Sequence, residues 1–168
     1  MTKTVRRAGE KDIPAIMELL KQVNLVHYKG RPDLFRPATK YTRDELCAII
    51  NNDQTPVFVC EDANGRVLGH GFCVLQRPEN TRLLNDILTL YVDDICVDEA
   101  ARGCHVGKMI YEHIVDFARE RGCYNITLNV WSCNPGAIKF YETLGLTPYK
   151  IGMETVLETP GTVLRVDD

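Results

Sequence analysis

Between Leu88 and Trp131 the chain changes its periodicity twice, and that succession constrains the fold more than any other feature. Leu88–Val97 is a β-prone, mostly apolar run. After an eight-residue loop, Val106, Met109, Ile110, His113, Ile114, Phe117 and Ala118 fall on one helical face, and Gly122 ends the helix. Asn125–Trp131 then returns to strand character and reads as a buried strand. A strand, a helix and a strand joined this closely predict a right-handed crossover between parallel strands.

The loop inside this unit, Asp98-Glu99-Ala100-Ala101-Arg102-Gly103-Cys104-His105, leads into the helix that opens Val106-Gly107-Lys108. A helix start leaves its first N–H groups without intrahelical acceptors and carries partial positive charge, which suits a phosphate. Gly103 and Gly107 permit close backbone approach, and Arg102 can add a charge-assisted contact. On its own the loop fits tight-turn geometry as well as it fits anion binding.

The flanking sequence supplies the remaining elements. Thr4–Ala8 alternates like an edge strand, and Asp12-Ile13-Pro14 starts a helix running to about Val23 with Ile13, Ile16, Met17 and Leu20 as its apolar stripe. His27–Tyr41 has neither period and carries two prolines, so it reads as a long loop suited to binding. Thr42 caps a second helix ending near Asn51; Pro56–Cys60 and Arg66–Gln76 form a hairpin around Asp62-Ala63-Asn64-Gly65. Asn134 opens a helix stopped by Gly145, and Tyr149–Leu157 reads as a last strand. The element order points to the α/β class, a mixed sheet with at least one parallel strand–helix–strand crossover built around the loop.

Composition excludes several roles. With 168 residues, 45% of them hydrophobic, the chain has material for one sizeable core, and no composition shift divides it. We read 1–168 as a single domain, with its core at about 3–157 and a tail at 158–168. A formal net charge of -3 argues against a nucleic-acid partner. No stretch is long and apolar enough for a membrane span, and the polar start Met1-Thr2-Lys3-Thr4 lacks a leader, so the expected location is cytoplasmic. Seven cysteines with no Cys-x-x-Cys pair read as reduced and mostly buried. No metal site is expected, and His113 reads as a packed core histidine.

Two motifs in order make the chain resemble the GNAT superfamily of N-acetyltransferases. Asp93-Asp94-Ile95-Cys96-Val97 followed by Arg102-Gly103-Cys104-His105-Val106-Gly107 is similar to the superfamily's acetyl-CoA motif, Arg/Gln-x-x-Gly-x-Gly/Ala. Asn134-Pro135-Gly136-Ala137-Ile138-Lys139-Phe140-Tyr141, continued by Glu142-Thr143-Leu144-Gly145-Leu146, is similar to its more specific second motif, Asn-x-x-Ala-x-x-Phe-Tyr-x-x-x-Gly-Phe/Leu. The resemblance spans about Val5–Leu157. His105 departs from it, standing where the first glycine of a pair usually sits; its N–H stays available if the side chain turns outward.

The resemblance implies a mixed, mostly antiparallel twisted α/β sheet with a central parallel pair splayed for the cofactor and helices on both faces, and acetyl-CoA as cosubstrate, its pantetheine lying beside the Leu90–Val97 strand. Backbone groups of Ile95, Cys96 and Val97 would take the pantetheine and the thioester carbonyl. The pyrophosphate would rest on Arg102, Gly103, Cys104, His105, Val106, Gly107 and Lys108, with Asn134, Ala137, Phe140 and Tyr141 completing the cofactor site. Tyr141 matches the tyrosine that protonates the departing thiolate in many relatives, while Phe140 also suits packing. Asp93 matches the carboxylate that serves as base or orients the amine; it can equally cap or pair locally. Strict alternation puts Asp93 on one face with Tyr91, Ile95 and Val97, and Asp94 on the other. The acceptor would meet His27, Tyr28, Asp33, Tyr91 and Asp93.

The expected reaction is direct acetyl transfer in a ternary complex to a small-molecule primary amine. A peptide acceptor and a non-catalytic acyl-CoA-binding module are the alternatives; a Rossmann nucleotide loop is disfavoured because Gly-x-Gly-x-x-Gly is absent. The apolar last strand offers a homodimer surface.

Overall fold

The computed structural model describes residues 2–157. Its sheet has the order β1 (Lys3–Arg7), β2 (Val57–Asp62), β3 (Val67–Gln76), β4 (Thr89–Val97), β5 (Asn125–Leu128). The first four strands pair antiparallel, and β4 and β5 pair parallel, as the strand–helix–strand succession requires. On one face lie α1 (Ile13–Gly30) and α2 (Arg43–Ile50); α3 (Val106–Glu120) covers the other, and α4 (Pro135–Thr143) follows β5.

Each face holds its own core. Ile13, Ile16 and Leu20 of α1 and Leu46 and Ile50 of α2 pack on Val57, Val59 and Phe72. Val106, Ile110, Ile114 and Ala118 of α3 pack on Phe58, Leu68, Cys73, Leu90 and Val92. The helix seats closely because β3 is bare there: a Cβ on Gly71 would lie 2.9 Å from Ile110 Cγ2 and 3.0 Å from Ile114 Cδ1. His113 sets its ring edge-on against Phe58, with centroids 4.9 Å apart, so it is a packing residue. Cys60, Cys73 and Cys96 are buried, Cys47 and Cys123 half-buried, and Cys104 and Cys133 exposed; all seven are free thiols.

Four features differ from the sequence expectation. α1 runs to Gly30, because nothing breaks it until Arg31, whose helical conformation is disfavoured by Pro32; His27 and Tyr28 are therefore helical, and the loop is 31–42. β5 stops at Leu128 as a half-buried edge, and Trp131 is exposed beyond it. The segment 149–157 forms no strand: Tyr149, Ile151 and Met153 alternate, yet all three side chains are exposed. Alternation sets which side chains share a face, but a strand also needs an edge to pair with, and a salt bridge from Glu154 to Arg31 at 2.7 Å leads this segment to the end of α1 instead. The parallel pair thus closes one end of the described sheet. The tail 158–168 lies outside the described residues.

The fourth difference positions the site. Phe72 pairs with Asp94 and Cys73 with Val92, so Asp93 is an extra residue in β4, a β-bulge. The alternation reverses there: Leu90 and Val92 face α3 before the bulge, Ile95 and Val97 after it. Asp94 therefore shares the α1 face with its pair partner Phe72 and with Cys96, whose thiol donates to the Leu19 carbonyl of α1 at 3.3 Å.

Candidate active site

β5 pairs with β4 only as far as Val92↔Leu128, while β4 runs on to Val97. The ladder ends there, so among the described residues Asp93–Val97 has no strand paired on that side, where the resemblance has Ile95, Cys96 and Val97 meet the pantetheine. Such an edge can take an extended chain of amides as an added strand would.

At the Val97 end of that edge stands the cradle. The Asp98 carboxylate accepts the Ala100 N–H at 3.2 Å and the Arg66 guanidinium at 2.6 Å, which fixes the short 3-10 turn Glu99–Ala101. Gly103 and His105 then take left-handed conformations, φ +75° and +62°, turning the chain into α3. α3 has no side-chain cap, and its first-turn N–H groups of Val106, Gly107 and Lys108 face the loop. Exposed Arg102 and Lys108 flank it. The Cys104 N–H is turned back to the Ala101 carbonyl at 3.4 Å, so Cys104 contributes no free donor to the cradle. Lys3, which the sequence did not single out, crosses from β1 and donates to the Cys104 carbonyl at 2.8 Å, adding a third cation.

The two loop glycines do different work. Gly107 is buried, and a Cβ there would lie 3.1 Å from Phe140 Cζ and 3.5 Å from Val97 Cγ2. Its bareness lets α3, α4 and β4 meet, which identifies Phe140 as the packing partner of the cradle helix. Gly103 serves the turn, with open space where its side chain would be. His105 is exposed and pays the left-handed strain that glycine would not. We expect His105→Gly to raise stability by about 1 kcal/mol in a denaturant titration without weakening coenzyme binding; a loss of coenzyme affinity would mean that the imidazole itself holds the ligand.

At the bulge end the side chains converge. Lys40 donates to Asp93 Oδ2 at 2.6 Å, and the Tyr41 hydroxyl lies 3.4 Å from the same oxygen. Burial works against the Lys40 charge, but the hydrogen bond and charge of Asp93 outweigh it and hold the ammonium above its ordinary pKa. Tyr41 stacks on Phe72, 5.8 Å between centroids, and burial raises its phenol. Asp94 meets His70 Nε2 at 3.2 Å. Burial pushes the Tyr141 phenol well up, the charge of Asp94 adds to the shift, and the ring packs on Phe140 at 5.2 Å. Tyr141 therefore stays protonated across the working pH range, as a proton donor must.

A wall of aromatic groups borders this end. His27 packs on Phe35 at 5.1 Å, and Phe35 sets its edge to Trp131 at 5.1 Å, joining the last turn of α1 to the chain after β5. A Cβ on Gly30 would lie 2.7 Å from Cys133 Sγ, which locks the same junction. Burial lowers the His27 pKa, favouring the neutral ring. Asn129 donates to the Tyr91 hydroxyl at 3.2 Å. Asn134 caps α4 by accepting the Ala137 N–H at 3.2 Å, so both of these motif residues have a structural task in shaping the helix that carries Tyr141.

Not every expected residue joins this group. Asp33 is exposed and binds Arg31 at 2.8 Å, and Tyr28 lines a separate shallow groove with Asn24, Pro37 and Thr39. Asp86, another acidic residue of the β3–β4 connection, pairs with Arg77. Lys40, Tyr41 and His70 carry no sequence signal that marks them for the site, and Asp94, one of the acidic residues expected near the amine entry, takes its place there through the bulge. The bulge that assembles them did leave a signal, since the apolar phase of β4 changes from even positions (Leu90, Val92) to odd ones (Ile95, Val97) across Asp93 and Asp94.

Among the described residues no cluster of His, Cys, Asp or Glu could hold a metal ion, and no helix is long and apolar enough to cross a membrane. Residues 17–146 match the acetyltransferase (GNAT) family. Glucosamine 6-phosphate N-acetyltransferase 1 of Oryza sativa subsp. japonica is 32% identical over 123 residues, 73% of this chain and 70% of the relative. An uncharacterised N-acetyltransferase of Methanocaldococcus jannaschii is 27% identical over 144 residues, covering 86% of this chain and 60% of that one. Among solved structures, a mutant of a Bacillus halodurans protein superposes with a TM-score of 0.88 at 28% identity, over 92% of this chain and 99% of that chain. With the free β4 edge, the cradle and the Asn134–Leu146 motif in place, the chain belongs to the acetyltransferase (GNAT) family of acetyl-CoA-dependent N-acetyltransferases.

Proposed function

We propose that this protein transfers the acetyl group of acetyl-CoA to a primary amine of a small-molecule acceptor, by direct attack within a ternary complex. The observation that carries this reading is the free edge of β4 from Asp93 to Val97, with an anion cradle at one end and carboxylates and the Tyr141 phenol at the other. Coenzyme A presents its pyrophosphate to the Gly103, His105, Val106, Gly107 and Lys108 N–H groups and to the cations Lys3, Arg102 and Lys108. Its pantetheine amides run along Ile95 and Val97, which brings the thioester toward Cys96 and the bulge.

The acceptor amine enters beside His27, Tyr41 and Tyr91, where the Asp94 carboxylate, paired with no lysine or arginine among the described residues, favours a cation. The amine nitrogen attacks the thioester carbonyl carbon, the C–S bond breaks, and Tyr141 delivers a proton to the departing sulfur. A small acceptor is supported by the aromatic contacts of His27, Phe35 and Trp131, which join the end of α1 to the chain after β5. The rice relative's name, with a glucosamine 6-phosphate acceptor, points the same way. The family match over 17–146 and the continuous sheet support reading 1–168 as one acetyltransferase domain.

The test is a thiol-release assay with acetyl-CoA and a panel of amino sugars, polyamines, amino acids and peptides. Release with small amines and not with peptides is expected. Release with peptides alone would move the acceptor class to proteins, and coenzyme binding without release for any amine would make the chain an acyl-CoA-binding module.

A further inference from the structure

We propose that Asp94, held in place by His70, is the carboxylate that accepts the acceptor amine's proton, and that neighbouring Asp93 instead anchors the Lys40 ammonium, which contacts the acceptor away from its reacting nitrogen. This rests on the acetyl-transfer reading above and assigns its base.

The two aspartates are adjacent in sequence and differ in what holds them. Asp93 Oδ2 is engaged by an ammonium at 2.6 Å and faces the Tyr41 hydroxyl. An oxygen already held by an ammonium is not open to an incoming amine. No lysine or arginine salt bridge engages Asp94 among the described residues. Its one side-chain partner is His70, and its carboxylate is 12% exposed while His70 is 0% exposed.

The chemistry of that contact fixes the imidazole. An ionised carboxylate only accepts, so His70 Nε2 carries the hydrogen and donates it at 3.2 Å. Nδ1 is then a bare acceptor, and it is buried with no partner. The alternative tautomer would leave an N–H unsatisfied there and two acceptors facing each other at Nε2, so the burial of Nδ1 reinforces the donor at Nε2. The ring is further fixed by an edge contact to Phe72, 5.0 Å between centroids. One Asp94 oxygen is thereby anchored, and the other is left for substrate.

The side chains that feel the Asp94 charge lie on the elements packed around it. They are His27 on α1, Lys40 before α2, Cys96 on β4 and Tyr141 on α4, besides His70 on β3. The bulge makes this arrangement, since without the extra residue Asp94 would face α3 or Asp93 would lose its outward position.

The protons balance. The bound ammonium gives one proton to Asp94, which passes it to solvent. The neutral nitrogen attacks the carbonyl carbon and becomes cationic, the C–S bond breaks, and Tyr141 protonates the thiolate. The remaining excess N–H proton restores the phenol, leaving amide, free thiol and one released proton.

Kinetics of Asp94→Asn, Asp93→Asn, His70→Leu and His70→Gln, with acetyl-CoA affinity and thermal melting measured alongside, test this. Asp94→Asn should lower kcat by about 10²-fold or more. Asp93→Asn should act mainly on the acceptor KM. His70→Leu should lower kcat about tenfold, with coenzyme affinity retained. His70→Gln keeps an N–H near the Nε2 position and should recover most of kcat, which a merely structural role for His70 does not predict. An active wild type in which Asp94→Asn keeps kcat while Asp93→Asn abolishes it overturns the assignment alone. A wild type that binds acetyl-CoA and acetylates no amine overturns the transfer reading and the assignment together. If Leu fails to fold, equal kcat losses for Gln and Asn at position 70 overturn the positioning role, because only Gln reaches Asp94.

Discussion

Tyr141→Phe is expected to lower turnover by about 10²-fold or more, as loss of a positioned acid does, while acetyl-CoA affinity stays within a few-fold of the parent. Burial, with the charge of Asp94 adding to it, raises the Tyr141 phenol well above its ordinary value. A group raised in this way is protonated at every pH below that value, so Tyr141 imposes no loss of activity on the alkaline side of neutrality. The same shift makes the free phenolate costly. The proton must therefore move to sulfur as the C–S bond breaks and be replaced from the nitrogen, not be given up to solvent. Phenylalanine keeps the ring that packs on Phe140 at 5.2 Å and removes only the donor. The loss should thus fall on kcat, with the Kd for acetyl-CoA, measured by calorimetry, barely moved. Unchanged turnover, with a pre-steady-state burst absent and chemistry rate-limiting, would remove Tyr141 as the acid.

What the sequence made legible is local, and what it hid depends on partners. The β4–α3–β5 crossover, the Thr42 and Asn134 caps and the hairpin around Asp62-Ala63-Asn64-Gly65 were readable because each is decided within a few residues. The end of α1 was misread because a helix continues in the absence of a signal: Asn24–Lys29 contains no breaker, and the stop comes from Pro32 acting on Arg31. The segment 149–157 carries a strand's alternation but finds no edge, and alternation alone is silent on pairing.

The site was legible to a similar depth. The two motifs name β4, the loop before α3 and α4, which the fold brings together, whereas Lys3 and Lys40 arrive from parts of the chain that meet the candidate site only after folding. The meaning of Gly107 was also hidden, since its need for bareness comes from Phe140, thirty-three positions away in the chain, and not from the phosphate alone. The most consequential miss was the bulge. One extra residue at Asp93 reverses every side chain after it, moving Asp94 from the face of α3 to the face of α1.

Ile110→Ala should cost about 2–5 kcal/mol, a large share of the stability of a domain this size. Ile110 is fully buried at the centre of the α3 face, and its side chain fills the space that the bare backbone of β3 leaves open. Gly71→Ala alone should also destabilise, by about 1–3 kcal/mol, because its new methyl would sit 2.9 Å from Ile110 Cγ2, with Ile114 Cδ1 blocking retreat at 3.0 Å. The two changes are not independent. Removing Ile110 beyond Cβ deletes the Cγ2 that obstructs the methyl at position 71, and that methyl then occupies part of the cavity. The double variant should therefore be more stable than the sum of the single losses predicts, by about 1 kcal/mol or more. Denaturant titrations of the four proteins measure this coupling directly. Strict additivity would mean that α3 rides away from the sheet when crowded, so that the position of the cradle at its first turn owes little to the glycines of β3. A positive coupling would mean the reverse: the bare stretch of β3 fixes the height of α3 over the sheet, and with it the height of the Val106, Gly107 and Lys108 N–H groups at the end of the β4 edge.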